Sequence, residues 1–158
     1  MHFGLLFLYK IFNFNRMGYK RKNWQEKLNI NREPVVEKAD KDFADIKRGQ
    51  KMFIPTPKIV DAYIREIPSG EQVNIPTIRK NLAAKFGADK TCPITTGIFV
   101  RIAAEAAYEQ FEKGIPLNKI TPFWRVITET SPAAKKLTFG TELLNKMRLK
   151  EGLKKVGS

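Results

Sequence analysis

The chain has 158 residues, with 29 Lys and Arg against 16 Asp and Glu, which gives a formal net charge of +13. It contains one His and one Cys. The chain therefore cannot supply the N and S ligands of a zinc site or form an internal disulfide. With 42% apolar residues it is able to bury a hydrophobic core. The basic excess indicates a polyanionic partner, either nucleic acid or an anionic membrane surface.

Residues 1–16 form an apolar N-terminal extension. The segment is too short to cross a bilayer, which needs about 20 apolar residues. It also lacks the basic start and the small-residue cleavage site of a signal peptide. Two interpretations remain open. Either the reading frame is over-extended and Met17 is the true start, or the segment is a membrane-surface helix.

Residues 17–55 are rich in charge and have few periodic apolar positions, which predicts a basic, partly ordered arm. One interpretation is that the arm packs Trp24 and Leu28 on the main domain. The other is that its cations contact phosphates. The two interpretations are compatible. Residues 56–158 are predicted to form the main domain.

Apolar residues at helical spacing, bounded by Pro and Gly, predict four helices in the main domain. They cover about residues 59–67, 76–86, 93–113 and 141–151. Val73 and Ile75 predict a short extended piece, and residues 121–127 a longer one. Two helices joined by a short turn and followed by an extended segment are typical of a winged helix-turn-helix. The expected fold class is therefore mainly α with a short β element.

The front of the third predicted helix is the candidate DNA-binding surface, to be placed in the minor groove. Gly97 lies inside this helix, where glycine costs about 1 kcal/mol relative to alanine, so a close backbone approach is expected to compensate. Either a neighbouring protein helix or a nucleic-acid groove makes that approach. Thr95 and Thr96 offer hydroxyl groups beside the first-turn amides, and Arg101 shares the face of Gly97.

Other basic side chains are candidate phosphate contacts, and the alternative for each is a solvated surface cation. These residues are Lys20, Arg21, Lys22, Arg79, Lys80, Lys135 and Lys136. Cys92 stands before Pro93 at the predicted start of the third helix. It is interpreted as a small buried apolar residue rather than as a reactive thiol.

Residues 59–152 resemble the DNA-binding domain of the methylated-DNA–protein-cysteine methyltransferases, which repair O6-alkylguanine. In chain order, the matching features are Ile67-Pro68-Ser69-Gly70, Gln72-Val73, a third helix with Gly97, Pro122-Phe123-Trp124-Arg125-Val126, and a last helix ending at Glu151-Gly152. The family's own motif at the fourth feature is Pro-Cys-His-Arg-Val. The resemblance implies a winged-helix DNA-binding domain.

The residues that carry the family's chemistry are replaced in this chain. Its Cys, His and Glu positions are assigned to Phe123, Trp124 and Asn145, the last by counting back from Glu151-Gly152. Phenyl and indole groups provide no nucleophile and shuttle no proton, so the resemblance implies no alkyl transfer and no enzyme. Ile94 takes the place of the Arg that fills the gap left by a flipped base. Ile75 takes the place of the Tyr that presses the phosphate round.

An aromatic residue at the Cys position is similar to the non-catalytic alkyltransferase-like branch, whose members bind alkylated guanine and hand it to nucleotide excision repair. In the first hypothesis, Pro122, Phe123, Trp124 and Arg125 form a pocket region. The two aromatic rings stack on an extruded base or only fill the space of the old active site. Arg125 either supports the pocket loop through backbone hydrogen bonds or makes a surface ion pair.

The second hypothesis is a protein-interaction module that kept the winged-helix fold and lost lesion binding. The first hypothesis implies a non-enzymatic monomer with no cofactor, no metal and no membrane partner. Its expected partners are double-stranded DNA, with or without alkylated guanine, and a repair protein. The expected location is the cytoplasm, at the nucleoid if the source is bacterial.

Overall fold

The computed structural model describes residues 21–155. The apolar extension at 1–16 and Lys20 lie outside the described residues, so the predictions for them are not addressed. The described elements, in chain order, are α1 Trp24–Leu28, β1 Val35–Lys38, β2 Lys51–Ile54, α2 Pro57–Arg65, α3 Ile75–Lys85, β3 Lys90–Thr91, α4 Pro93–Glu112, α5 Pro132–Lys136 and α6 Glu142–Lys150, with 3-10 turns at Leu117–Lys119 and Phe123–Arg125.

The four predicted helices of the main domain are confirmed as α2, α3, α4 and α6, with ends within two residues of the prediction. Polar caps fix two of the starts. The side chain of Thr56 accepts the amide of Ile59 at α2, and that of Asn74 accepts the amide of Thr77 at α3. Asn74 as the cap makes Ile75 the first residue of α3, so the predicted extended piece at this position is wrong.

Helix α4 is the centre of the fold, because α1, α2 and α3 all pack against it. Its middle is buried almost all round and consists mainly of small side chains, which lets the neighbouring helices approach closely. The buried residues there are Val100, Ala103, Ala104, Glu105, Ala106 and Ala107. The main core continues from α4 to Phe53, Trp124 and Leu144.

A three-stranded sheet joins the N-terminal arm to the main domain. β1 pairs antiparallel with β2, which pairs parallel with β3, with Phe53 opposite Thr91. Phe53 is fully buried and stacks on Phe86 at 4.2 Å between ring centroids. Leu28 is buried and Trp24 half-buried against the main domain, which confirms the packing interpretation of the arm.

The strands occur where the sequence did not predict them. β1 and β2 lie in the charged arm, where both Val35 and Val36 are exposed and no apolar alternation marks a strand. Residues 121–127, predicted to be extended, instead contain the 3-10 turn Phe123–Arg125. The amides of Arg125, Val126 and Ile127 bond locally, to the carbonyl oxygens of Pro122 and Phe123, and not to a neighbouring strand. The mainly α class with a short β element is confirmed, and the extended segment at 121–127 is wrong.

We expect Phe53→Ala to lower the free energy of unfolding by about 3–5 kcal/mol, because it empties the contact between the sheet and α3. Phe111→Ala is the control. Because Phe111 is exposed, this variant should lose much less free energy of unfolding. Chemical denaturation followed by circular dichroism measures both. A Phe53→Ala loss as small as that of the control would mean that the sheet does not unfold together with the helical core.

Candidate nucleic-acid interface

The front of α4 carries an open face. Among the described residues, no atom outside the local helix backbone and the chain neighbours of Gly97 lies within 4 Å of a Cβ built at that glycine. Ile94, on the same side of the helix, is 36% exposed, and Arg101 is half-buried one turn further on. Within residues 21–155, therefore, no helix packs against Gly97, contrary to the interpretation that a neighbouring protein helix does so. Gly97 is half-buried, so the helix backbone is partly accessible here to a partner.

Thr95 and Thr96 do not belong to this open face. Both are completely buried, and both hydroxyl groups donate to the carbonyl oxygen of Cys92, at 3.4 and 2.7 Å respectively. The prediction that they contact DNA is corrected for this reason: both hydroxyls donate back to a carbonyl oxygen at the start of α4, and neither residue reaches the surface. Cys92 itself is buried, as expected.

The predicted phosphate contacts fall into two groups. Arg79 is held within the protein, because it donates to Asp45 at 2.6 Å and to the carbonyl oxygen of Thr91 at 2.9 Å. Its side chain is only 15% exposed, so Arg79 connects α3 to the sheet and is not a free surface cation. Lys80, Lys135 and Lys136 are exposed, on α3 and α5.

The predicted pocket region is part of the core. Phe123 is 0% exposed and Trp124 is 2% exposed, and Pro122 beside them is buried. Phe123 meets the rings of Trp124 and Phe139 edge-on, at 5.3 and 5.6 Å between centroids. The prediction that these rings line an accessible base pocket is therefore corrected: they fill the interior, as the alternative interpretation expected.

Arg125 and Glu151 join the segments that carry the family resemblance. Arg125 pairs with the Glu151 carboxylate at 2.7 Å and donates to the carbonyl oxygen of Ile67 at 2.6 Å. The indole N–H of Trp124 donates to the same carboxylate at 2.9 Å, and the amide of Gly70 does so at 3.2 Å. Arg125 thus makes a backbone hydrogen bond, to Ile67 beyond its own loop, and an ion pair that is largely buried, where the alternative expected a surface pair.

The carboxylate that accepts the indole N–H of Trp124 is that of Glu151. Asn145, the residue assigned to the family's Glu position, is exposed on α6, and among the described residues no hydrogen bond joins its side chain to Trp124.

Sequence analysis also missed Arg148, which is 4% exposed. It donates to the carbonyl oxygen of Trp124 at 2.8 Å and to the side chain of Gln72 at the same distance, and it pairs with Glu129 at 3.2 Å. A lysine- and arginine-rich helix gives no sequence signal that distinguishes this buried arginine from its exposed neighbours.

Comparison of the chain with protein-family models, with curated proteins and with solved structures found no match. Within residues 21–155, no group of three or more His, Cys, Asp or Glu is placed to hold a metal ion. Across the same residues, every helix falls short of the length and apolar character needed to span a membrane.

The Glu151 network predicts a pH-dependent stability. Burial acts to raise the pKa of this carboxyl, but hydrogen bonds from Arg125, Trp124 and Gly70 outweigh it and hold the pKa at about 2. Because the folded-state pKa lies below the ordinary value of 4.5, the contribution is complete above about pH 5 and disappears as the pH falls through about 2.

We therefore expect Glu151→Gln to be less stable than the wild-type protein at pH 7, by about 3 kcal/mol. The difference should shrink as the pH is lowered from 5 to 2. Urea denaturation at a series of pH values measures this difference in stability. The control is Glu142→Gln, at an exposed position of α6. A difference independent of pH would show that the carboxylate charge of Glu151 does not stabilise the network.

We expect Gly97→Ala to raise the free energy of unfolding by about 0.5–1 kcal/mol, since alanine favours the helix and meets no neighbour. Ala62→Gly, at an exposed position inside α2, should lower it by a similar amount. Thermal and chemical unfolding compare the two variants. A destabilised Gly97→Ala protein would show that the space beside Gly97 is occupied.

Proposed function

We propose that this protein is a non-enzymatic DNA-binding protein that presents the front of α4 to duplex DNA. The observation that carries the proposal is the bare backbone at Gly97, on the face that also holds Arg101: beyond the helix's own backbone and chain neighbours, no atom of residues 21–155 lies within 4 Å of its Cβ position. A glycine inside a helix without an internal packing partner is accounted for by a close external partner. The net charge of +13 favours a polyanion as that partner.

The α3–α4 pair supports a helix-turn-helix arrangement for this binding. α3 ends at Lys85, Gly87 turns the chain with φ of +68°, and the short strand β3 follows before α4 begins at Pro93. In such a motif the second helix enters a groove while the first helix crosses the backbone. Lys80 is exposed on α3 and would reach a flanking phosphate. The proposal assigns no DNA contact to a wing.

The proposal does not include preference for O6-alkylguanine. An extruded base needs an accessible pocket, whereas Phe123 is 0% exposed and packs against Trp124 and Phe139. Alkyl transfer is also outside the proposal, because a phenyl ring at Phe123 has no nucleophilic lone pair. Binding is proposed to depend on backbone charge and groove shape, which an intact duplex supplies.

The second candidate function is a protein-interaction module. It is favoured by Ile94, an exposed apolar side chain at the front of α4 where the family resemblance implies an arginine. The two functions differ in their response to salt. Binding to DNA releases counterions and weakens steeply with salt, and binding through an apolar surface does not.

The test is a fluorescence-anisotropy titration of the full chain against matched duplexes with and without one O6-methylguanine, over a salt series. We expect equal affinity for both duplexes and a loss of roughly a thousandfold in affinity between about 50 and 200 mM salt, for about six neutralised phosphates. A tenfold preference for the methylated duplex would overturn the part of the proposal that excludes lesion recognition. No binding at low salt would overturn DNA binding and favour the interaction module.

Gly97→Gln tests whether the bare backbone is the contact. We expect the variant to bind DNA roughly tenfold more weakly, a loss of about 1.4 kcal/mol, because its side chain keeps the helix away from the groove. Ala62→Gln adds the same side chain to exposed α2 and should bind like the wild-type protein. Equal affinity of the two variants would mean that DNA does not approach Gly97.

A further inference from the structure

A second helix stands beside the open face of α4. The five-residue helix α1 lies on α4, because the backbone amide of Gln25 donates to Glu109 at 2.9 Å and its side-chain amide donates to the carbonyl oxygen of Ala106 at 2.7 Å. A capping box between Asn23 and Glu26 fixes the start of α1. These contacts hold the half-buried Trp24 and Lys27 of α1 in a fixed position next to the middle of α4.

Two cations share one aromatic ring at this junction. The ammonium nitrogen of Lys27 lies 4.0 Å from the ring centroid of Trp24, and the guanidinium carbon of Arg101 lies 5.3 Å from it. The ring therefore joins a cation of the arm to a cation of α4. Cation–π attraction offsets part of the repulsion between them.

Arg101 has a hydrogen-bond donor without an acceptor. Its Nε atom is buried and makes no hydrogen bond among the described residues, since the nearest carboxylate oxygen of Glu105 is 3.7 Å away. Glu105 already accepts the backbone amide and the hydroxyl group of Thr138. A buried donor left unpaired costs free energy. Nε itself is closed to a ligand and lies beside the ion-paired Glu105, so an anion would reach Arg101 through the part of its side chain, 32%, that is exposed.

The charges around Lys27 are also incompletely balanced. Burial lowers the pKa of Lys27 first, and the neighbouring cations Arg21 and Arg101 lower it further, against the opposing effect of Glu105 and Glu109. Both carboxylates are engaged within the protein, with Thr138 and with the amide of Gln25. An added anion would relieve the repulsion among the three cations.

We infer that Arg101, Lys27 and Trp24 form a binding site for one backbone phosphate of duplex DNA, with Arg21 at its edge. This inference rests on the proposed DNA-binding function and locates one of its contacts. Arg101 follows Gly97 by one helical turn. A DNA strand that lies against the bare backbone at Gly97 therefore next passes Arg101 and Lys27. The arm is then a functional part of the DNA surface as well as a packing element.

Salt-dependent titrations of the full chain with unmodified duplex test the inference through Arg101→Gln and Lys27→Gln. Each variant should bind several-fold to tenfold more weakly than the wild-type protein, and the slope of log affinity against log salt should fall by about one phosphate. Lys113→Gln is the matched control. It removes the same charge from the exposed far end of α4, about 18 Å along the helix axis from Arg101.

A second readout does not depend on variants that alter Arg101. The chain has two tryptophans, so it gives two indole N–H signals in a nuclear magnetic resonance spectrum, assigned with Trp24→Phe. Added duplex should shift the Trp24 signal and leave that of Trp124, which is buried and bonded to Glu151. This measurement, together with Lys27→Gln, decides the question if Arg101→Gln fails to fold.

The outcomes separate the two proposals. If the wild-type protein does not bind duplex DNA, the proposed function fails and the phosphate site fails with it. If it binds while Lys27→Gln and Arg101→Gln keep the affinity and salt slope of Lys113→Gln, DNA binding stands and the phosphate site is wrong. A duplex-induced shift of Trp124 without one of Trp24 would also overturn the site.

Discussion

The ion pair between Arg125 and Glu151 is the interaction on which the arrangement of the helices depends. Through it the end of α6 is connected to the 3-10 turn Phe123–Arg125, and the second bond of Arg125, to the carbonyl oxygen of Ile67, connects that turn to the end of α2. Removing either partner of a largely buried pair leaves the other charge unpaired. Arg148 supports the same turn from α6, so two arginines fix the position of Trp124.

This network gives the residues on which the resemblance rests a structural role of their own. Arg125, Glu151 and the Ile67–Gly70 segment hold one another in place through direct hydrogen bonds. Their side chains are therefore needed for the fold whether or not a nucleophile stands beside them. For the same reason they are weak evidence for lesion binding, and the proposed function depends on α4 rather than on the motif.

The parts of the fold that the sequence predicted are those controlled by local interactions. Pro and Gly at helix ends and apolar spacing located α2, α3, α4 and α6 within two residues. The errors occurred where long-range contacts decide the structure. The β-prone segment at Phe123 forms a 3-10 turn that Arg125 and Arg148 connect to distant parts of the chain, and β1 and β2 carry no alternating pattern.

In the candidate site, too, local features could be predicted from the sequence and tertiary contacts could not. The open position of Gly97 follows from its place in a predicted helix, although whether a neighbour covers it is a tertiary fact. The inward position of Thr95 and Thr96 follows from their spacing, since each stands four residues before a buried apolar residue, Phe99 or Val100. The partnership of Arg101 with Trp24 had no sequence signal, since the two residues are far apart in the chain.

Helix α4 combines two requirements that favour different sequences. Its middle is buried by α1, α2 and α3 and is built from alanines that let those helices approach. Its front contains a glycine that weakens the helix and packs against no described neighbour. The packed middle of α4 tolerates the helix destabilisation caused by Gly97, because packing stabilises the helix more than the helix propensity of each residue does. A surface supported in this way keeps its shape when a partner is absent, as binding by a helix backbone requires.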